Sequence, residues 1–153
     1  MRSKLYLIGS LRNPEVPILG NKLRELGYNV FDDWYAAGEI ADDAWRDYEI
    51  GRGHNFEQAL DGYAAHHVFD FDKYHLNAAH AGILMLPAGK SGHIEAGILA
   101  GQGKPVWVLL ESSGPPDRFD VMTKFLYEVC NDTDELFVSL SKFPWPKFPD
   151  IPE

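Results

Sequence analysis

A strand pattern, a helix pattern and a second strand pattern follow one another at the start of the chain, and this order constrains the fold most. Residues 5–8 form a short apolar run that Gly9 ends. Across residues 14–26 apolar side chains recur at helical spacing, and Gly27 follows as a helix stop. Residues 28–31 have the composition of a second strand. Because a helix that joins two neighbouring strands makes them parallel, the chain begins a parallel sheet.

The same alternation continues along the chain and predicts an α/β fold. Further strands are predicted at 82–86, 106–110 and 136–138, and further helices at 41–51, 55–65, 70–80, 92–102 and 119–130. We therefore expect a single-domain, three-layer sandwich with a mostly parallel, Rossmann/flavodoxin-like sheet of about five strands. The domain spans residues 1–142 and contains an aromatic and acidic segment, 32–70, that we interpret as a lid or insertion. The proline-rich residues 143–153 are predicted to form a C-terminal arm.

The charge balance and the single cysteine narrow the class of protein. The 153 residues include 23 acidic and 14 basic side chains, which gives a net charge of −9. This balance argues against binding to a nucleic acid polymer or an anionic membrane. Cys130 has no partner for an internal disulfide, and no run approaches the roughly 20 apolar residues of a membrane span or has the form of a signal peptide. We expect a cytoplasmic protein that binds a small molecule.

A glycine-rich corner, residues 87–97, follows the strand predicted at 82–86 and leads into the next helix. A strand, a glycine turn and a helix start in this order form a ligand-binding corner in open α/β sheets. The corner has no phosphate-loop signature, but it places Glu95 in the first turn of the predicted helix. Backbone N–H groups and the helix dipole favour a negative charge there, so Glu95 is expected to be ionised. An ionised carboxylate at this edge can act as a nucleophile.

Four short motifs occur in an order that matches a known enzyme family. They are the segment from Tyr6 to Arg12, the helical spacing of Asp72, Leu76 and His80, the element from Gly92 to Gly97 around Glu95, and the segment from Asp120 to Met122. Together they cover most of residues 4–125. The sequence resembles the nucleoside 2-deoxyribosyltransferase superfamily, which includes the 2′-deoxynucleoside 5′-phosphate N-hydrolases.

The resemblance implies a reaction and the residues that carry it out. Glu95 would be the nucleophile, Asp72 would contact or protonate the leaving base, and Tyr6 would hold the nucleophile or the sugar. The enzyme would cleave the N-glycosidic bond of a (deoxy)nucleoside through a covalent glycosyl–glutamate intermediate and pass the sugar to another base or to water. The residues implied at the sugar or phosphate end are Gly9, Ser10 and Arg12.

The resemblance also implies an oligomer. In the family, the segment that matches residues 120–122 reaches into the site of a neighbouring subunit. Asp120 and Met122 are therefore implied as substrate contacts supplied by a second copy of the chain. We expect a homodimer or a higher homo-oligomer.

Two positions depart from the family's pattern. His80 stands where the helical motif has a second aspartate, a position that we interpret as structural. Six residues before Glu95, the transferases have an aspartate and the N-hydrolases a serine, but this chain has Gly89. We therefore assign the sugar and 5′ contacts to the whole turn, which comprises Gly89, Lys90, Ser91 and Gly92.

The end of the second predicted strand supplies two further candidates, Asp33 and Trp34, which would approach the base. Asp32 beside Asp33 is also a pattern that suits Mg²⁺. The four histidines between residues 54 and 75 show no zinc-site spacing and have no cysteine partner. The sequence therefore predicts neither a metal nor another cofactor.

Breaking an N-glycosidic bond in this way requires two carboxyl groups whose pKa values differ. Asp72 lies beside Phe71 and near Tyr74 on its predicted helix, so burial is expected to raise its pKa and suit it to donate a proton. Glu95 would stay ionised as the nucleophile. The aromatic side chains of segment 32–70 would stack on the base and exclude water.

Two other functions stay open at this point. Arg12 and Lys90 suit a (deoxy)nucleoside 5′-monophosphate N-hydrolase, because each supplies a positive charge for a phosphate. Gly89, in place of the family's side chain, suits a non-catalytic nucleotide-binding or sensing module. The sequence leaves the base, the sugar and the acceptor undetermined.

Overall fold

The computed structural model describes residues 2–147, which form an α/β sandwich around a parallel sheet. Each neighbouring pair of strands is parallel, so the predicted fold class is confirmed, with the flavodoxin-like order β2-β1-β3-β4-β5. The strands are β1 (Lys4–Ile8), β2 (Asn29–Phe31), β3 (Ala81–Met85), β4 (Val106–Leu109) and β5 (Glu128–Cys130). The α-helices are α1 (Glu15–Glu25), α2 (Ala41–Gly51), α3 (Phe56–Leu60), α4 (Tyr63–Ala78), α5 (Lys90–Gly101) and α6 (Thr133–Lys142).

The strands bury both faces of the sheet, as their continuous apolar runs predict. In β1, Leu5 and Leu7 point to the face covered by α1 and α6, where Leu23 and Leu136 complete the core. Tyr6 and its neighbours on the other face belong to a second core cluster under α4 and α5. Because side chains alternate between faces along a strand, β1 to β4 contribute to both clusters, while β5 adds only Cys130 to the first.

Two of the predicted elements are wrong. The helix predicted at 119–130 is a 3-10 turn, Val121–Phe125, followed by the edge strand β5. The strand predicted at 136–138 lies inside α6. The Asp132 side chain accepts a hydrogen bond of 2.9 Å from the Glu135 N–H, which starts this helix three residues before the apolar run.

Segment 32–70 contains more structure than the sequence pattern predicted. It begins with a 3-10 turn, Asp33–Ala37, and continues through α2 and α3 into the first half of α4. The helices predicted at 55–65 and 70–80 are instead a short helix and one long helix, which meet at Gly62. Asn55 and Gln58 form a reciprocal capping box that fixes the start of α3.

The domain boundary and the C-terminal arm stay predictions, since residues 148–153 lie outside the described part of the chain. Before that point, the Trp145 indole N–H donates a 2.9 Å hydrogen bond to the carbonyl of Leu140. Its ring also packs against Trp107 and Tyr28. None of the helices within residues 2–147 has the length and apolar character needed to cross a bilayer.

Candidate active site

An open cleft of about 1200 Å³ lies where the carboxyl ends of β1 and β2 meet α2, α4 and the start of α5. This edge is where open α/β sheets bind ligands, because several loops and a helix N-terminus converge on it. Eleven of the predicted site residues line the cleft. They are Tyr6, Gly9, Ser10, Arg12, Asp33, Trp34, Asp72, Gly89, Ser91, Gly92 and Glu95.

Glu95 and Tyr6 form the innermost pair of this cleft. Tyr6 lies on β1 and is 1% exposed, and its phenol group hydrogen-bonds to the Glu95 carboxylate. Burial, the negative charge of Glu95 and this hydrogen bond all raise the pKa of Tyr6. The phenol therefore stays protonated and donates to the carboxylate.

The pKa of Glu95 is higher than the sequence predicted. The helix α5 begins at Lys90, so Glu95 lies in its second turn rather than its first. Burial raises the pKa of Glu95 to about 7, and the nearby charge of Asp72 adds to this rise, although the Tyr6 hydrogen bond opposes it. Loss of hydration outweighs the helix dipole here, since the dipole acts within the first turn only.

Asp72 lies on α4, which brings its carboxyl group to the same cleft. Burial raises its pKa, in the direction that the sequence predicted. The two carboxyl groups are electrostatically coupled, because the charge of Asp72 raises the pKa of Glu95. Such a pair is able to share one proton, with one member ionised while the other is protonated.

The glycine corner and the loop after β1 form the second side of the cleft. Gly89 is the residue that precedes α5, and no side chain caps its first turn. The backbone N–H of Arg12 donates to the Ser10 hydroxyl at 3.1 Å and shapes the loop after β1. A side chain at Gly92 would come within 3.0 Å of the Ile8 methyl group, so this glycine lets α5 approach β1 closely.

Three predicted substrate contacts lie outside this cleft. Lys90 is exposed at the start of α5 and does not line it. Asp120 and Met122 are exposed around the 3-10 turn after β4, where the Asp120 side chain accepts a 2.9 Å hydrogen bond from the Met122 N–H. Within one chain these two residues contribute nothing to the cleft, and a role in a neighbouring subunit stays a prediction.

The two adjacent aspartates after β2 have different surroundings. Asp32 is buried and ion-paired with Arg24, whose second nitrogen lies 3.3 Å from the carboxylate. Asp33 is exposed in the cleft wall, next to Trp34. The Trp34 indole N–H donates to the Leu7 carbonyl at 2.8 Å and holds the ring at the cleft. The Asp32 carboxylate is thus already paired with Arg24. Within residues 2–147, no group of three histidine, cysteine or acidic side chains is arranged to hold a metal ion.

The sequence pointed to segment 32–70 as a lid and identified Asp33 and Trp34 within it, but not the other residues of the segment that line the cleft. Their spacing on α2 held a signal, since Ala41, Trp45 and Tyr48 repeat at helical intervals on one face. Nothing in that spacing indicated what this face would meet. The lining residues without an individual prediction include Glu39, Asp42, Asp43, Trp45, Tyr48, His66, His67, Phe69 and Phe71.

Comparison with known proteins gives a likeness in structure but none in sequence. No protein-family model matches the chain, and no curated protein matches its sequence. Among solved structures, the chain is similar to the Clostridium botulinum CMP N-glycosidase BcmB, with a TM-score of 0.55 and 14% sequence identity. The alignment covers 91% of this chain and 99% of that chain. At this level of identity the likeness establishes a shared fold.

Proposed function

We propose that this protein cleaves the N-glycosidic bond of a (deoxy)nucleoside through a covalent bond between the sugar and Glu95. The observation that carries this proposal is the Tyr6–Glu95 hydrogen bond beside Asp72 in the cleft. Glycosyl transfer with a covalent intermediate needs a carboxylate nucleophile and a second, protonatable carboxyl group, and here the half-buried Glu95 is oriented by a phenol with Asp72 near it.

Each of these three residues has a defined role in the proposed reaction. The ionised form of Glu95 attacks C1′ of the sugar, and the electron pair of the C1′–N bond moves to the base. Asp72, whose pKa is raised by burial, donates a proton to the departing nitrogen. Tyr6 donates a hydrogen bond to Glu95 and keeps the carboxylate oriented.

The second half of the reaction releases the sugar from Glu95. A water molecule or another base attacks C1′, and the ionised Asp72 accepts the proton of that nucleophile. Water as the acceptor makes the protein a hydrolase, and a base makes it a transferase. The open cleft of about 1200 Å³ leaves room for either acceptor.

The comparison with BcmB supports the same class of reaction. That protein is described as a CMP N-glycosidase, and its fold matches 91% of this chain. The agreement has weight because the motifs that resemble nucleoside 2-deoxyribosyltransferases lead to N-glycosidic bond cleavage without any reference to the structure.

A 5′-monophosphate N-hydrolase is the second candidate. Arg12 lines the cleft beside the first turn of α5, which has no side-chain cap, and both features attract a phosphate. The substrate named for BcmB is itself a monophosphate. A non-catalytic nucleotide-binding module is the third candidate, and it predicts that a nucleotide binds without turnover.

The proposal includes the assembly of the protein and its location in the cell. We expect a homodimer or larger homo-oligomer in the cytoplasm, in which Asp120 and Met122 of one copy approach the cleft of another. Both residues are exposed, and Phe119, Val121 and Phe125 around them are exposed apolar side chains that a second copy would cover. Light scattering of the purified protein measures the oligomer, and Met122→Asp should weaken it.

The test of the reaction is intact-protein mass spectrometry. Wild-type protein and the Glu95→Gln variant are incubated with a pool of nucleosides and nucleoside monophosphates, and released bases are measured in parallel. We expect a sugar adduct on the wild type only, whose mass separates ribosyl from deoxyribosyl and phosphorylated from free sugar. Absence of both adduct and released base would leave the binding module as the better description.

A further inference from the structure

The charges that line the cleft are unevenly distributed. The loop side, formed by the turns after β1 and β3, contributes Arg12, and no other lysine or arginine of residues 2–147 lines the cleft. The opposite wall, formed by the 3-10 turn after β2 and the start of α2, is acidic. Its carboxyl groups are those of Asp33, Glu39, Asp42 and Asp43.

Few of these wall carboxylates are neutralised by the protein. Asp43 forms an ion pair with Arg46 at 3.4 Å, and Asp33 is attracted electrostatically to Lys4. Within the described part of the chain, neither Glu39 nor Asp42 has an ion-pair partner. A positively charged ligand in the cleft would therefore be attracted by carboxylates that no cation of the protein already neutralises.

Aromatic rings stand beside these carboxylates. Trp45 lies on α2 next to the acidic turn, and Trp34 is fixed at the cleft by its bond to Leu7. Tyr48 lies on the same face of α2, although Arg52 already stacks over its ring at 5.2 Å. A wall that combines indole rings with unpaired carboxylates binds a flat cation better than a flat neutral group, through cation–π attraction and direct charge attraction.

We infer that the preferred substrate is an N-glycoside whose base carries a positive charge, and that Glu39, Asp42 and Trp45 recognise this charge. The inference rests on the proposed function, because it takes the sugar to lie at Glu95 with the base toward the acidic wall. It defines a substrate class within that function, namely nucleosides or nucleotides with a cationic aromatic base such as a pyridinium ring.

A cationic base also suits the chemistry of this site. As the C1′–N bond breaks, its electron pair neutralises the positive ring nitrogen, and C1′ forms an ester bond with Glu95. The base leaves neutral without receiving a proton. Water then attacks C1′, which returns Glu95 as a carboxylate and releases one proton. Positive charge in the cleft also favours the ionised form of Glu95, which its surroundings otherwise disfavour.

The experiment compares two ligands that differ in one charge. Nicotinamide riboside has a pyridinium ring, and benzamide riboside has a neutral ring of the same shape. Calorimetry measures the binding of both to the Glu95→Gln variant, which keeps the ligands intact, at low ionic strength and at pH 8, where an ordinary histidine is neutral. We expect the cation to bind about tenfold more tightly than its neutral isostere.

Matched variants test which residues make the difference. Adding Glu39→Gln and Asp42→Asn should reduce the preference for the cation to about threefold or less. Adding Glu57→Gln and Asp61→Asn instead removes the same charge from exposed positions of the α3 region that do not line the cleft, and should leave the preference unchanged. Equal binding of both ligands, tighter binding of the neutral one, or no binding of either would overturn the inference.

The inference and the proposed function fail in different ways. If neutral nucleosides label Glu95 while the two ribosides bind equally, the glycosidase survives and the charge preference does not. If the cation binds preferentially but wild-type protein releases no base from any nucleoside, the cleft recognises cations and the proposed reaction is wrong.

Discussion

The carboxyl groups of Asp32 and Glu95 lie on opposite faces of the sheet, and they differ in whether a positively charged side chain is paired with them. Asp32, on the α1 face, is ion-paired with Arg24. Glu95, on the α4 and α5 face, has no cationic partner within residues 2–147, only the Tyr6 hydroxyl and the nearby charge of Asp72. A guanidinium compensates the lost hydration of Asp32, but nothing fully compensates that of Glu95.

This difference separates a carboxylate with a structural partner from the one to which the proposed function assigns the chemistry. A paired carboxylate fixes the elements around it, in this case α1 and the end of β2. An unpaired one changes its protonation state near neutral pH and is free to react with a ligand. Substituting either carboxyl group, or a residue that acts on Glu95, tests this difference.

The largest expected effect is the loss of activity in Glu95→Gln. Removing the proposed nucleophile should lower the rate of base release by roughly a thousandfold or more, while the fold persists. Release is measured by chromatography and folding by circular dichroism. A variant that keeps more than one-tenth of the wild-type rate would show that Glu95 does not attack the sugar.

The same substitution should stabilise the protein at alkaline pH. The pKa of Glu95 rises from 4.5 to about 7 on folding, so the folded state binds the proton more tightly than the unfolded state. The free energy of unfolding of the wild type therefore falls as pH rises from 4.5 to 7, by about 3 kcal/mol. Glutamine does not titrate. Chemical denaturation should show Glu95→Gln to be more stable by about this amount at pH 8 and equal to the wild type near pH 4.

Asp32→Asn should have the opposite effect on stability and a small effect on turnover. It removes a charged partner of Arg24, and because Arg24 is partly exposed the cost is about 1–2 kcal/mol at pH 8. Denaturation measures the loss, and base release should stay within about twofold of the wild type. A large loss of turnover in a folded Asp32→Asn protein would erase the distinction between the two carboxylates.

The smallest expected effects are opposite shifts in the titration of Glu95. The Tyr6 hydrogen bond lowers the pKa of Glu95, so Tyr6→Phe should raise that pKa further. The charge of Asp72 raises the pKa of Glu95, so Asp72→Asn should lower it. Carbon-13 NMR of labelled glutamate carboxyls follows the titration without any need for activity. Shifts in the same direction in both variants would contradict the arrangement of the three side chains.

Much of the fold could be predicted because its signals are local. The strands β1, β3 and β4 are continuous apolar runs, and α1 has its apolar residues at helical spacing. The edge strand β5 could not be predicted, since it has three residues and only Cys130 among them is buried. Its neighbour α6 contains three successive apolar residues, 136–138, a pattern that is typical of a strand. In the structure, however, the buried residues of α6 are Leu136 and Leu140, at helical spacing.

The site was predictable to a similar extent. Motifs identified Tyr6, Asp72 and Glu95, and the structure brings all three to one cleft. Apart from Asp33 and Trp34, the acidic and aromatic wall was predicted only as a segment, because the sequence did not show which side of α2 meets the cleft. Lys90 was predicted to contact the substrate because it lies in the glycine turn. Its neighbours Gly89 and Ser91 line the cleft, but Lys90 does not.

The sequence by itself determined the parallel sheet and which loops gather at its carboxyl edge, since both follow from the order and periodicity of short apolar runs. Only the tertiary structure decided how the carboxyl groups behave. Asp32 and Asp33 are adjacent in the chain, yet one is paired with Arg24 and the other lines the cleft. The pKa of Glu95 is raised because burial and the charge of Asp72, from a distant helix, outweigh the Tyr6 hydrogen bond. A pKa depends on hydration and on neighbours in space, and folding supplies both.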